Sequence, residues 1–180
     1  MVLGLPRGGV VVAAPVAEAL GAPLDVVVVR KLGHPLQPEL AVGAIGEDDV
    51  EVLNAPIASS VRSDQLDRVR GRERAELARR VQQYRGGRPP IPLAGRDVIL
   101  VDDGLATGAT ARAAIDVLRA RQPRSIVLAV PVGPPDTVRS MEQAVDRVVC
   151  LHSPRGFAGV GQFYRDFHQT TDEEVSALLA

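Results

Sequence analysis

The sequence has few of the residues that stabilise small secreted proteins. It contains one cysteine, Cys150, in 180 residues, so no internal disulfide can form. Histidine occurs three times, and no Cys/His cluster has the spacing of a zinc site. No apolar run approaches the roughly 18–20 residues that span a bilayer, and the first residues lack the pattern of a secretory signal. We therefore expect a cytoplasmic protein with no membrane partner.

Aromatic residues are scarce as well: they make up 3% of the chain, and tryptophan is absent. The core must therefore be built from Val, Leu, Ile and Ala. The formal net charge is −1, so the chain lacks the basic excess of a general nucleic-acid-binding protein. Apolar residues at 46% and charged residues at 24% are the balance of a soluble globular protein. We expect one domain, residues 1–180, that handles small molecules.

What the sequence does contain is a regular alternation of apolar runs with helical patterns. Strands are predicted at Val2–Leu5, Leu24–Val29, Val98–Val101, Ile126–Val130 and Val148–Leu151. Helices are predicted near residues 10–20, 63–84, 109–121 and 137–144, and a capping box at 171–174 opens a final one. This alternation predicts an α/β fold with a parallel sheet and helices on both faces.

Several segments add detail to this outline. Pro15 lies within the first helical pattern, which predicts a helix that begins late enough to hold this proline in its first turn. The runs Ala41–Ile45 and Val50–Leu53 flank four turn residues and predict a hairpin. Residues 59–88 are rich in arginine at helical spacing, and we interpret them as a helical insertion before the third main strand. Residues 152–180 are expected to form a C-terminal cap.

The most specific pattern is an apolar strand followed by two acids and a turn of small residues, from Val98 to Thr110. Asp102 and Asp103 come at the C-terminal end of the strand, where α/β sheets place their ligands. The turn leads into a helix, so its backbone N–H groups and the helix dipole favour a phosphate. Thr107 and Thr110 can add hydroxyl donors. The pattern predicts a ligand with a diol and a phosphate; the alternative is a tight turn with acids in an N-cap role.

This stretch resembles the phosphoribosyl diphosphate motif of type I phosphoribosyltransferases: four apolar residues, two acids and a Thr-Gly-x-Thr turn. It lacks the Gly-Lys-Ser/Thr of a P-loop and the G-x-G-x-x-G spacing of a dinucleotide site. The resemblance extends from Val2 to about Leu151 and implies that Asp102 and Asp103 bind the ribose hydroxyls. The residues that it implies for the 5′-phosphate are Gly104, Ala106, Thr107, Gly108, Ala109 and Thr110.

Two further segments match the same family in the same order. The first, residues 5–9, follows the first strand and resembles the pyrophosphate loop, in which relatives often carry a cis non-proline peptide. The second, Arg30-Lys31, resembles the basic pair at the base of a flexible loop. Residues 33–46 would be that loop, which closes to exclude water and is not expected to form a long regular element. The residues implied as catalytic are Lys31 and Arg7, and those implied as substrate-binding are Gly8, Gly9 and Arg30.

The resemblance implies an enzyme of nucleotide metabolism that transfers a phosphoribosyl group from 5-phosphoribosyl diphosphate to a nitrogenous base. Mg²⁺ is the implied cofactor, held by Asp102 and Asp103 only indirectly, through ribose or water. The sequence does not identify the base, and it leaves a homodimer open. Ala106 occupies the position where 6-oxopurine enzymes carry an Asp, which argues against hypoxanthine or guanine.

Relatives also have a helix before the first strand, whereas this chain begins inside that strand. One sheet face, or the hood over the base, is therefore expected to be incomplete. Two other functions would use the same segment, residues 102–110, which we call the donor loop. These are a sensor that binds phosphoribosyl diphosphate without turning it over, and a phosphate-ester hydrolase on the same fold.

The roles of several other residues stay open at this point. Nine arginines between Arg62 and Arg88 fit either an exposed helix with ion pairs or a face for RNA or a partner. Glu39 and His34 lie in the expected flexible loop, where each is either solvated or in contact with substrate. Four aromatic residues near the C-terminus fit either a base-stacking hood or a packed cap; these are Phe157, Phe163, Tyr164 and Phe167.

Overall fold

The computed structural model describes every residue from Met1 to Ala180. The strands are β1 (Val2–Gly4), β2 (Leu24–Val26), β3 (Val29–His34), β4 (Gln37–Gly46), β5 (Glu51–Leu53), β6 (Asp97–Val101), β7 (Ser125–Val132) and β8 (Arg147–His152). The helices are α1 (Gly8–Leu20), α2 (Ala55–Ala58), α3 (Ser63–Arg85), α4 (Ala109–Ala120), α5 (Pro135–Glu142) and α6 (Asp172–Leu178). A single 3-10 turn spans Val160–Phe163.

Five strands form the main sheet in the order β2-β1-β6-β7-β8, and every neighbouring pair is parallel. This topology confirms the predicted α/β fold. Strands β3, β4 and β5 form a second, antiparallel sheet. Ile45 of β4 pairs with Glu51 of β5, so the hairpin predicted around residues 46–49 is confirmed. None of the helices has the length and apolar character that crossing a bilayer requires.

Helices cover both faces of the main sheet. Successive residues of a strand point to opposite faces, so both faces carry apolar side chains that a helix can bury. On one face, Val2 packs in a cluster with Ala13 and Ala17 of α1. On the other face, Leu3 belongs to a larger cluster that includes Ile115 of α4 and Met141 of α5. The largest fully buried side chains are all Leu, Ile or Val, as the shortage of aromatic residues predicts.

Helix α3 packs its apolar stripe onto the second sheet. Val69, Leu77 and Tyr84 share one buried cluster with Leu32 of β3 and Ile45 of β4. The opposite side of the helix is solvated and carries ion pairs at helical spacing, such as the pair of Arg79 with Glu76. The 23-residue helix is therefore amphipathic, and it holds the β3–β4 hairpin from outside.

Two predictions about the N-terminal third are wrong in their boundaries. Helix α1 begins at Gly8, so Pro15 lies in its interior and not in its first turn. Proline has no N–H, so the carbonyl of Val11 loses its helical hydrogen bond. Val11 and Pro15 both lie on the exposed side of the helix, where water can replace that bond. The segment 24–29 is not one strand, because β2 ends at Val26 and β3 begins in the other sheet.

The expectation that residues 33–46 lack a long regular element is also wrong. Strand β4 runs for ten residues and pairs along β3, with register shifts around Gly33. Arg30 and Lys31 consequently lie inside β3, paired with Ile45 and Ala44, and not at the end of the second strand. The antiparallel pairing satisfies the backbone groups that a loop would leave to water.

A buried guanidinium joins these elements. Arg85, at the end of α3, is 5% exposed. Its Nη1 donates to both carboxylate oxygens of Asp25, at 2.8 and 3.0 Å, and its Nη2 donates to the carbonyl of Val26 at 2.8 Å. Nη2 also donates to Oε1 of Glu47 at 3.0 Å, while Nε contacts Oε2. One side chain thus links α3 to β2 and to the residue that follows β4.

Replacing Arg85 with Met should destabilise the protein strongly, because it leaves the carboxylates of Asp25 and Glu47 buried without their cation. We expect the free energy of unfolding in urea to fall by about 3–5 kcal/mol. Arg68→Met is the control, since the Arg68 side chain is 82% exposed on the same helix. If Arg85→Met unfolds like the control, the network does not hold the elements together.

Candidate active site

The two predicted binding loops lie side by side at one edge of the main sheet. Strands β1 and β6 are parallel neighbours, and Gly4 pairs with Val101. The loops that follow these strands therefore leave the sheet at the same edge. Together they enclose a cavity of about 320 Å³, which we call the donor cavity, lined by residues 5–8, 102–111 and Val160. Most of the residues predicted to bind substrate thus meet in one place.

Two glycines allow the loops to approach each other closely. A Cβ on Gly8 would lie 2.1 Å from Oδ2 of Asp103, and a Cβ on Gly9 would lie 2.7 Å from the carbonyl oxygen of Val101. Neither position can hold a side chain without moving the acidic segment. The peptide between Pro6 and Arg7 is cis, as the family resemblance implied.

The turn between β6 and α4 offers several unpaired backbone donors. The N–H groups of Ala106, Thr107, Gly108 and Thr110 donate no hydrogen bond to the protein. Gly108 has a left-handed backbone with φ of 74°, a conformation suited to glycine, and it directly precedes the first residue of α4. Unpaired amides at the start of a twelve-residue helix form the arrangement that binds phosphate groups in proteins.

Asp102 and Asp103 are partly buried beside this turn. The N–H of Asp103 donates to Oδ1 of Asp102 at 2.9 Å. Desolvation raises the pKa of Asp102 well above its usual range, and the charge of Asp103 raises it further. Desolvation also raises the pKa of Asp103. Carboxyl groups perturbed in this way are typical of functional sites, because catalytic and binding groups need pKa values matched to their task.

A second cavity of about 460 Å³, which we call the basic cavity, adjoins the donor cavity and shares Leu5, Pro6 and Thr110 with it. It lies between the β3–β4 hairpin, α3 and α4. Its charged lining residues are Arg30, Lys31, Glu39, Arg72, Glu73 and Arg80. The predicted basic pair therefore faces a common space with the donor loop, although it lies within a strand.

Arg7 occupies a different position from the other cations. Its Nη1 lies 4.0 Å from Oδ1 of Asp172 at the start of α6, and the hydroxyl of Tyr84 donates to the same oxygen at 2.7 Å. Arg7 also lines the donor cavity and a third cavity of about 360 Å³. It is therefore held between the donor loop and the C-terminal helix.

The C-terminal aromatic residues pack on one another beside the acidic loop. The rings of Phe157 and Phe163 stack at 5.8 Å, and the rings of Tyr164 and Phe167 meet at 5.1 Å. The Tyr164 hydroxyl donates to the carbonyl of Asp103 at 2.6 Å. Tyr164 and Phe167 also line the third cavity. Both interpretations of these residues therefore have support, since the segment is packed and also faces open space.

Two residues that line the site, Arg72 and Arg80, were not predicted from the sequence. Both lie on α3 and line the basic cavity. The available signal was their spacing of eight residues, which places them on one side of a helix. Which side faces the site depends on how α3 docks, and the sequence does not contain that information locally.

Comparisons with known proteins agree with this geometry. The family model of the phosphoribosyl transferase domain matches residues 1–167. Two Mycobacterium tuberculosis proteins, from strains H37Rv and CDC 1551, are each 55% identical over 181 residues, and both bear the name "Putative phosphoribosyl transferase". The match covers 99% of this chain but 41% of each relative, so the chain spans about two fifths of their length.

Among solved structures, the protein TT1426 from Thermus thermophilus superposes with a TM-score of 0.93 at 48% identity. That match covers 99% of this chain and 85% of the other. The chain belongs to the phosphoribosyl transferase family.

The perturbed pKa of Asp102 leads to a prediction about stability. Its ordinary unfolded value is about 3.9, so the folded state binds the proton more tightly than the unfolded chain does. This contribution to stability is complete below that value and is lost as pH rises through the raised folded pKa. Asp102→Asn should therefore reduce the loss of stability that the wild type shows as pH rises. At pH 8 it should increase the free energy of unfolding by on the order of 1 kcal/mol.

Urea unfolding at pH 5 and pH 8 measures this effect. Asp49→Asn is the matched control, because Asp49 is exposed and lies in the turn after β4, outside the donor cavity. An Asp102→Asn variant that is destabilised equally at both pH values would show that the carboxyl group is stabilising in its ionised form.

Proposed function

We propose that this chain transfers the phosphoribosyl group of 5-phosphoribosyl diphosphate to a nitrogenous base with the help of Mg²⁺. The observation that carries the proposal is the donor cavity. There, unpaired amides at residues 106–108 and 110 lie beside the two partly buried carboxyl groups of Asp102 and Asp103. A donor with a 5′-phosphate and a ribose diol at fixed separation matches this pairing of amides with carboxylates.

In this reaction the bond between C1 of the ribose and the diphosphate oxygen breaks, and diphosphate leaves with the electron pair. A ring nitrogen of the base then bonds to C1 with inversion, and its proton passes to solvent. The chemistry depends on positioning and on charge neutralisation more than on a covalent nucleophile. Asp102 and Asp103 would orient the ribose, while Lys31 and Arg7 would face the charge that develops on the leaving group.

The residues present fit Mg²⁺ as a companion of the donor and not as a resident ion. No group of three or more His, Cys, Asp or Glu side chains is arranged to hold a metal. Mg²⁺ favours six oxygen ligands and retains several waters, so Asp102 and Asp103 would hold it through water or ribose. Bound with the donor, the ion would neutralise charge on the diphosphate.

A sensor without turnover is a second candidate, and one observation favours it. The segment 33–46, where a catalytic lid was expected, forms a regular hairpin with β3. A sensor needs the donor cavity but no lid that closes over a reacting centre. The two candidates therefore differ in the hairpin and in the acceptor, not in how the donor is bound.

Calorimetric titration with 5-phosphoribosyl diphosphate and Mg²⁺, followed by turnover assays over a panel of bases, tests the proposal. We expect saturable donor binding and release of diphosphate with at least one base. Tight binding without turnover for any base would favour the sensor. Absence of donor binding would contradict both candidates.

The donor carboxylates give the first functional prediction. Asp102→Asn and Asp103→Asn each keep the shape of the side chain but remove its charge. A charge-assisted hydrogen bond contributes about 1.5–3 kcal/mol, so donor affinity should fall roughly ten- to a hundredfold. Asp116→Asn is the matched control, because Asp116 lies on α4 but lines neither the donor cavity nor the basic cavity. Unchanged affinity in both single variants would contradict the assignment.

Lys31 gives the second functional prediction. Its Nζ lies 3.4 Å from the carboxylate of Glu39, whose side chain is 99% exposed, so this pair contributes little to stability. Lys31→Ala should unfold within about 0.5 kcal/mol of the wild type. It should nevertheless weaken pyrophosphate binding and slow turnover, while Lys31→Arg should retain most of both. A large loss of stability with normal pyrophosphate binding would reverse this interpretation.

Hydrogen exchange measures whether the hairpin closes. We expect the amides of residues 33–46 to gain protection when donor and Mg²⁺ bind, because a lid belongs to the less stable part of a structure until its ligand arrives. Equal protection in both states would show a fixed hairpin and would favour the sensor.

A further inference from the structure

The basic cavity contains more positive charge than the predicted basic pair supplies. Arg30 and Lys31 reach it from β3, and Arg72 and Arg80 reach it from α3. Against these four cations, the cavity wall holds the carboxylates of Glu39 and Glu73. The excess of positive charge faces the space next to Pro6 and Thr110, which also line the donor cavity.

We propose that Arg72 and Arg80 of α3 bind the diphosphate part of the donor, and so determine that the ligand is a diphosphate and not a simple phosphate ester. The inference rests on the proposed function, because it takes the 5′-phosphate and ribose to occupy the donor cavity. A diphosphate that extends from there past Pro6 enters the basic cavity. Arginine suits this role because its planar guanidinium binds phosphate oxygens in pairs.

The ion pairs now present in the basic cavity can be exchanged at small cost. Lys31 pairs with the exposed Glu39, and the Arg72 side chain, paired with Glu73, is 73% exposed. The exposed pair of Lys31 with Glu39 contributes little, and the buried carboxylate of Glu73 keeps Arg30 as its partner when the exposed Arg72 turns away. The pair of Arg30 with Glu73 is different, since the Glu73 side chain is 9% exposed and its Oε2 lies 2.7 Å from Nη2 of Arg30. Arg30 therefore stays in place, while Lys31 and Arg72 can turn to a ligand. Arg80 can turn as well, because Glu76 keeps Arg79 as its partner.

The helix supplies its own control residue. Arg79 and Arg80 both donate to Glu76, with Nε distances of 2.9 and 2.7 Å. Arg80 lines the basic cavity, whereas Arg79 does not. Replacing either one removes one arginine from the same carboxylate on the same turn. A difference in ligand binding between Arg79→Gln and Arg80→Gln therefore reports the cavity and not the ion pair.

The test is calorimetric titration of the whole chain with three probes: 5-phosphoribosyl diphosphate with Mg²⁺, pyrophosphate with Mg²⁺, and ribose 5-phosphate. We expect Arg80→Gln to weaken binding of the first two by about tenfold, and the more exposed Arg72→Gln by about threefold. Binding of ribose 5-phosphate should match the wild type in both variants. Arg80→Lys keeps the charge without the planar guanidinium, so its affinity for the first two probes should lie between those of the wild type and Arg80→Gln.

The outcomes separate the two proposals. If the wild type binds the donor and Arg80→Gln binds pyrophosphate as Arg79→Gln does, α3 has no role in the diphosphate site, and the proposed function still stands. If the wild type binds neither the donor nor ribose 5-phosphate, the proposed function fails and this inference fails with it. Urea unfolding of each variant shows whether a loss of binding reflects a loss of folded protein; equal loss for ribose 5-phosphate would also overturn the inference.

Discussion

The buried guanidinium of Arg85 connects the structural elements that line the basic cavity. It binds Asp25 of β2 and Glu47, which follows β4, and it is the last residue of α3, so the second sheet and the helix are fixed against the main sheet. Ion pairs buried this deeply add little net stability, but removing one partner is costly. The network joins β2, the end of the β3–β4 hairpin and α3, and the hairpin with Lys31 and the helix with Arg80 line one cavity.

Carboxyl groups and cations occupy separate parts of the site. The donor cavity holds two carboxyl groups whose pKa values are raised by desolvation, and the adjoining basic cavity holds an excess of cations. A ligand with hydroxyl groups in the middle and phosphates at both ends matches this division. Burying Asp102 and Asp103 side by side is unfavourable for the protein without its ligand, and sites of this kind commonly trade stability for function.

The strands, the parallel sheet and the acidic turn were predictable because local patterns encode them. The β3–β4 hairpin was not predictable in this way, because residues 33–46 were interpreted as a flexible loop. A Cβ on Gly43 would lie 2.3 Å from the carbonyl oxygen of Val52, and a Cβ on Gly46 would lie 2.3 Å from Cγ1 of Val117. These glycines permit close packing inside regular structure. The Arg85 network joins residues 60 and 38 positions apart, and no local pattern indicates such contacts.

A structure of the chain bound to 5-phosphoribosyl diphosphate and Mg²⁺ tests the central claim most directly. We predict the 5′-phosphate on the amides of residues 106–110, the ribose hydroxyls at Asp102 and Asp103, and the diphosphate directed toward Lys31 and Arg80. A donor bound with its 5′-phosphate in the basic cavity, or bound away from both carboxylates, would contradict this claim.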